Sequence, residues 1–306
     1  MPDRASIPDA VSRRIELGGV PLRWEERGEG PPVVFVHGIP TSPALWRKVI
    51  PRIARGRCLA FEMAGYGESI AAGRDRDISV GRQADLLLAW IRELGIDRAV
   101  LVGHDLGGGV VHIAATREPS VAAGLLLTNA IGYDSWPIPS VKIMRAMGGV
   151  LRHLPSGAMK AMLGSLFIRG HDDWHVARES RDIHWAPYAR TDGSAALIRQ
   201  IRSLDVSDTL AVARDLPKLR GIPGRIVWGA ADPFQTIEYG ERFARDLGLE
   251  LVPIEGGKHF TPEDHPDVIA ESVEDVVAAA FARELEGRVN ARAPEQSSTT
   301  RPRLRP

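Results

Sequence analysis

Four short segments carry side chains that could act together on a small molecule. The first runs from Val100 to Gly109 and reads Val-Leu-Val-Gly-His-Asp-Leu-Gly-Gly-Gly, an apolar stretch that turns into a helix near Leu106. Small residues at Gly103, Gly107 and Gly108 permit a tight strand-to-helix turn, which lifts Asp105 above the edge of a sheet. A carboxylate with an ordinary pKa of about 4 is already anionic at neutral pH. It attacks a saturated carbon without help from a base, whereas a serine hydroxyl needs one. Asp is also a favoured helix N-cap, so this turn alone fits a structural role equally well.

The second segment, Phe35-Val-His-Gly-Ile-Pro, ends another apolar run and can direct the backbone N–H of Ile39 toward the same place. The third, Val227-Trp-Gly-Ala-Ala-Asp-Pro-Phe, carries Asp232 in a glycine loop after a strand; the fourth, Glu255-Gly-Gly-Lys-His-Phe-Thr-Pro, carries His259 before the last helix. Taken singly, each is an ordinary turn or loop polar group. Taken together, Asp105, Asp232 and His259 each follow a predicted strand, in the order nucleophile, acid, base. Asp134, just after an earlier strand, competes with Asp232 for the acid's role, and the strand-Gly-x-x-Asp context favours Asp232. His104 reads as structural, because a base is already present. Asn129 reads either as a strand-end cap or as a polar member of the site.

The elements that must hold these residues follow from periodicity. Short apolar runs at residues 32–36, 57–63, 98–102, 123–128, 225–228 and 250–254 alternate with helical patterns, as in an α/β fold with a parallel sheet. Segments 14–17 and 22–26 flank a Gly-Gly turn and add an antiparallel hairpin at one edge, giving eight strands. Ser79 caps a helix that Gly95 stops, and residues 237–247 and 266–284 form later helices. The alternation breaks after the sixth strand. Residues 14–132 and 216–287 therefore form the core, residues 133–215 a helical insertion, and residues 288–306, rich in Arg, Pro, Ser and Thr, a disordered tail.

Composition narrows the function further. The 306 residues carry 39 Lys+Arg against 39 Asp+Glu, so no charge excess exists to hold nucleic acid or an anionic membrane. Cys58 is the single cysteine, which excludes an intrachain disulfide and a thiolate metal cluster. With no signal-like amino terminus and no long apolar run, a cytoplasmic protein is expected. Neither a metal nor a cofactor is expected.

On these motifs the chain resembles the α/β-hydrolase superfamily, within it the aspartate-nucleophile branch of epoxide hydrolases and haloalkane dehalogenases. The resemblance covers about residues 14–285 and puts the insertion in the position of a cap. It implies that Asp105 forms an alkyl ester, that water activated by His259 and Asp232 hydrolyses it, and that the N–H groups of Ile39 and Leu106 meet the oxyanion. The expected partners are a small apolar organic substrate and water, with a homodimer left open. Ile39 and Leu106 stand where dehalogenases usually carry halide-binding side chains, and one of the two epoxide-hydrolase cap tyrosines is missing. Tyr188 remains as a donor to an epoxide oxygen, and Trp136, Trp174 and Trp185 as aromatic lining of the pocket. Arginines that would clamp a haloacetate carboxylate are absent after the nucleophile, where the chain reads Gly107-Gly-Gly-Val-Val-His. Epoxide hydrolysis is thus the leading expectation, dehalogenation the alternative, and a non-catalytic ligand-binding homologue the third.

Overall fold

In the computed structural model, which describes residues 6–282, the strands form one sheet. They are β1 (Val11–Leu17), β2 (Val20–Arg27), β3 (Pro32–Val36), β4 (Arg57–Glu62), β5 (Ala99–His104), β6 (Ala122–Thr128), β7 (Gly224–Gly229) and β8 (Glu250–Ile254). Their order is β1-β2-β4-β3-β5-β6-β7-β8. Only β2 runs against its neighbours, because Gly18 and Gly19, both with positive φ, fold β1 back on it in a two-residue hairpin. From β4 to β8 every pairing is parallel. The carboxyl ends of β3, β5, β6, β7 and β8 therefore share one edge.

The central strands are buried on both faces, as their continuous apolar runs require. Val34, Val36, Leu101, Leu125 and Leu127 enter one core, and Val33, Phe35, Val100, Val102 and Leu126 the other. Helices α1 (Val80–Glu93) and α2 (Leu106–Arg117) pack on the first face. Ser79 caps α1 by accepting a hydrogen bond from the Arg82 N–H, and Gly95 ends it with φ of 64°.

Between β6 and β7 lie only helices: α3 (Pro139–Ala146), α4 (Gly148–Leu151), α5 (Ser156–Gly170), α6 (Trp174–Ala189), α7 (Gly193–Arg202) and α8 (Ser207–Ala213). Helices α4 to α7 share an apolar cluster of Leu151, Met159, Leu163, Trp185, Tyr188 and Ile198, against which α3 packs Val141 and Met144, while α8 packs Val212 on the first core of the sheet. Phe167 of α5, stacked on Phe260, joins the layer to the second core, and polar contacts fasten it further. Gln200 Nε2 donates to the Gly65 carbonyl at 2.7 Å, the backbone N–H groups of His259 and Phe260 both donate to the Gly170 carbonyl, and buried Arg47 pairs with Glu263 beside His171 and His184. After β7 and β8 come α9 (Ile237–Leu247), the short α10 (Thr261–Asp264) and α11 (Pro266–Ala280).

Several element boundaries differ from the sequence reading, β1 the most among the strands, since it starts at Val11 rather than 14. β5 continues to His104, since Gly103 and His104 still pair with Leu127 and Thr128 of β6, and the strand therefore ends directly beneath Asp105. The last helix ends at Ala280 rather than 284. The expected tail lies outside the described residues. Among the described residues, no helix is long and apolar enough to cross a membrane.

Candidate active site

Asp105 sits between β5 and α2 with φ 52° and ψ −121°, a conformation that residues with a Cβ rarely adopt. Such a position costs roughly 1–3 kcal/mol and holds only where the surroundings fix it. They do so by close approach. A Cβ on Gly107 would overlap the Val36 carbonyl, and one on Gly38 would overlap the Asp105 carboxylate. That carboxylate faces the turn after β3. Its Oδ2 accepts the Ile39 N–H at 2.9 Å, and the Leu106 N–H at the start of α2 also donates to the carboxylate. Burial pushes its pKa above the ordinary value, while His259 and these two N–H groups pull it back toward the anion.

His259 lies in the loop after β8, with Nδ1 2.8 Å from Asp232 Oδ2. Asp232 follows β7 and is held at both oxygens: Oδ1 accepts the Phe234 N–H at 2.7 Å, and Oδ2 accepts Asn129 Nδ2 at 2.7 Å. Burial lowers the pKa of His259, but the charges of Asp232 and Asp105 more than offset it, so the net shift is upward. With Nδ1 donating to the carboxylate, Nε2 is the free ring nitrogen.

Asn129 is thus a member of this arrangement. It directly follows β6 with φ 43°, and its Oδ1 accepts from the Gly229 N–H and from Thr261 Oγ1, so one side chain ties the end of β6, the end of β7 and the start of α10 together. His104 bonds through Nε2 to the His259 carbonyl at 2.9 Å, and their rings lie 4.8 Å apart. Burial holds its pKa well below the usual value, so it supports His259 as a neutral ring. Asp134 is elsewhere. Its side chain is 67% exposed and meets Tyr239 and Arg242.

Above Asp105 and His259 opens a cavity. Ile39, Leu106, Trp136, Val141, Phe234 and Phe260 give it apolar walls. Trp136 lines it with the ring alone, since its Nε1–H donates to Thr209 Oγ1 at 2.8 Å. Tyr188 and Trp185 do not line it. They stack on each other with centroids 5.0 Å apart inside the helical layer, where the Tyr188 hydroxyl donates to Gln200 Oε1 at 2.7 Å and the Trp185 indole donates to Ser156. Their apolar bodies complete the layer's own core, which corrects the expectation that they face the substrate. Trp174 is half exposed, over Arg178.

Two side chains escaped the sequence reading. His37 receives the Met63 N–H on Nε2 and bonds the Gly38 carbonyl through Nδ1; burial lowers its pKa to about 3. A neutral ring with its proton on Nδ1 satisfies both bonds and fixes the turn that aims Ile39. The His-Gly pair pointed to the turn but not to the work of its imidazole. Gln235, three residues after Asp232, is 2% exposed and lines the cavity; only its nearness to Asp232 in the chain could have drawn attention to it. Among the described residues, no group of three or more His, Cys, Asp or Glu side chains is placed to hold a metal ion.

Known proteins share this arrangement of elements. The model of the alpha/beta hydrolase family matches residues 33–272. A haloalkane dehalogenase of Mesorhizobium japonicum is 28% identical over 291 residues, covering 89% of this chain and 90% of that protein. Bifunctional epoxide hydrolase 2 of Sus scrofa is 37% identical over 151 residues, 48% of this chain and 27% of the pig protein. The crystal structure of an alpha/beta hydrolase fold protein from Burkholderia ambifaria superposes with a TM-score of 0.76 at 28% identity, covering 86% of this chain and 97% of that one. With its eight-stranded sheet and its match to the family over most of its length, the chain belongs to the alpha/beta hydrolase family.

Proposed function

We propose that this enzyme hydrolyses a small apolar substrate through an alkyl ester on Asp105, and that the bond it breaks is carbon–halogen. The observation that carries the reading is the Asp105 carboxylate, held through Oδ2 by the N–H of Ile39 beside a His259–Asp232 pair. With Oδ2 bonded, Oδ1 is the oxygen left to attack. Its electron pair forms the new C–O bond as the halide departs with the pair from the C–X bond. Water then adds to Cγ of Asp105 while His259 Nε2 takes its proton. The charge forms on Oδ2, already beside the donors it needs. Collapse of this intermediate expels the alkoxide, which takes the proton from His259 and leaves as the alcohol. Asp105 returns as a carboxylate after releasing the second water proton.

Esterification also prepares the base. The Asp105 charge is one of the causes that raise the His259 pKa, and the ester is neutral. His259 is therefore freed of a proton more readily in the intermediate than in the resting enzyme. In this mechanism residues 133–215 serve as the cap that closes the apolar cavity.

The leaving group follows from the donors present. An opening epoxide yields a strongly basic alkoxide that needs a proton, whereas a halide leaves as a stable anion that needs only dipoles. Neither Tyr188 nor another phenol lines the cavity. The test is competition. Bromoalkanes should release bromide with a higher kcat/KM than styrene oxide or small alkyl epoxides yield diols; faster epoxide opening would reverse the assignment.

A further inference from the structure

The cavity has eleven apolar lining residues and, besides Asp105 and His259, one polar side chain, Gln235. Its Oε1 is buried and has no hydrogen-bond partner. Leaving such an atom unpaired is destabilising, and a fold under selection for stability alone would place leucine or methionine there. The backbone at this point is firmly held. The Gln235 carbonyl accepts Trp228 Nε1–H at 2.8 Å, and the Phe234 N–H just before it bonds Asp232. The chain segment that carries Asp232 thus places Gln235 in the wall of the same cavity as Asp105. An amide's two ends are interchangeable by rotation about the last side-chain bond, so Gln235 can turn an N–H toward a ligand.

We propose that Gln235 contacts the substrate as the donor that receives the departing halide, in the absence of donor side chains at Ile39 and Leu106. This role rests on the dehalogenation reading. An amide N–H suits it: the dipole stabilises an anion as charge develops, but it is far too weak an acid to protonate an alkoxide. It bears only on ester formation, since the halide has left before water attacks.

The test measures ester accumulation on intact protein by mass spectrometry in His259→Gln, with and without Gln235→Leu, using chlorobutane, bromobutane and iodobutane. Loss of the donor should slow ester formation by ~10- to 10²-fold, most for chloride and least for iodide, because chloride is the stronger hydrogen-bond acceptor and the poorer leaving group. Decay of a preformed ester in the otherwise wild-type enzyme should be unchanged by Gln235→Leu. Thermal unfolding should show the variant equally or more stable, as an unpaired polar atom is replaced by an apolar one. A stable Gln235→Leu that forms ester at the parent rate with all three halides would overturn the role while leaving the Asp105 ester intact. Failure of all three to form any ester in His259→Gln would instead overturn the dehalogenation reading, and this role with it.

Discussion

The carboxyl edge of the sheet and the helical layer above it hold their side chains by different means. At the edge, five adjacent parallel strands end together, and Ile39, Asp105, Asn129, Asp232 and His259 each follow one of them by a few residues. Backbone spacing and pairing fix where those groups stand. In the layer, the aromatic rings go wherever the packing of six helices sends them, and Trp136 reaches the cavity while Trp185 and Tyr188 fill the layer's own core. Residues at the edge should therefore control chemistry, and the buried aromatics of the layer should control stability.

The largest effects test the first half of that statement. Asp105→Ala should lower turnover by at least ~10⁴-fold, and His259→Gln should trap the ester as added mass on the intact protein. Unchanged steady-state turnover in His259→Gln would remove it from the mechanism. Next comes the acid. Asp232→Ala should lower turnover by at least ~10²-fold through loss of the imidazole's orientation and counter-charge, with Asp134→Ala near normal. The reverse pattern would move the acid to Asp134, against its exposure and its contacts with Tyr239 and Arg242.

A smaller effect concerns pH. His259 must be neutral to accept a proton, and its pKa is raised in the resting enzyme, so its titration there should fall above the ordinary value of about 6.5. Ester hydrolysis, measured in a single turnover, should fail as pH drops through the His259 pKa of the intermediate. That limb should lie at lower pH than the resting titration, because the Asp105 charge is gone. Coincident limbs would show that Asp105 keeps its charge through the step.

The smallest effect tests the second half of the comparison. Tyr188→Phe strips Gln200 Oε1 of its buried donor and should cost about 1–3 kcal/mol of stability. It should leave the rate of ester formation nearly unchanged. A large loss of that rate at unchanged stability would return Tyr188 to the role of a leaving-group donor.

The same division explains what could be read from the chain. The strands, the elbow and the order of Asp105, Asp232 and His259 follow from local patterns: apolar runs, glycines and residues at fixed offsets from strand ends. β5 spans Ala99–His104 rather than residues 98–102, and no local pattern encodes the pairing of its last two residues with β6. Tyr188, Trp185 and Gln235 were misread or missed for a common reason. The direction of a side chain on an amphipathic helix or an irregular loop depends on partners distant in the chain, here Gln200, Ser156 and the cavity wall. His37 shows an intermediate case, since its turn was legible and its bond to Met63 was not.

The central claim is that water attacks Asp105 rather than the substrate. A single turnover with excess enzyme in heavy-oxygen water separates the two, because hydrolysis at Cγ leaves the water oxygen on the carboxylate and sends the original Oδ1 out with the alcohol. Mass analysis of the peptide containing Asp105 should find the label there and unlabelled oxygen in the product. Label in the product alone, with Asp105 unlabelled, would contradict the account.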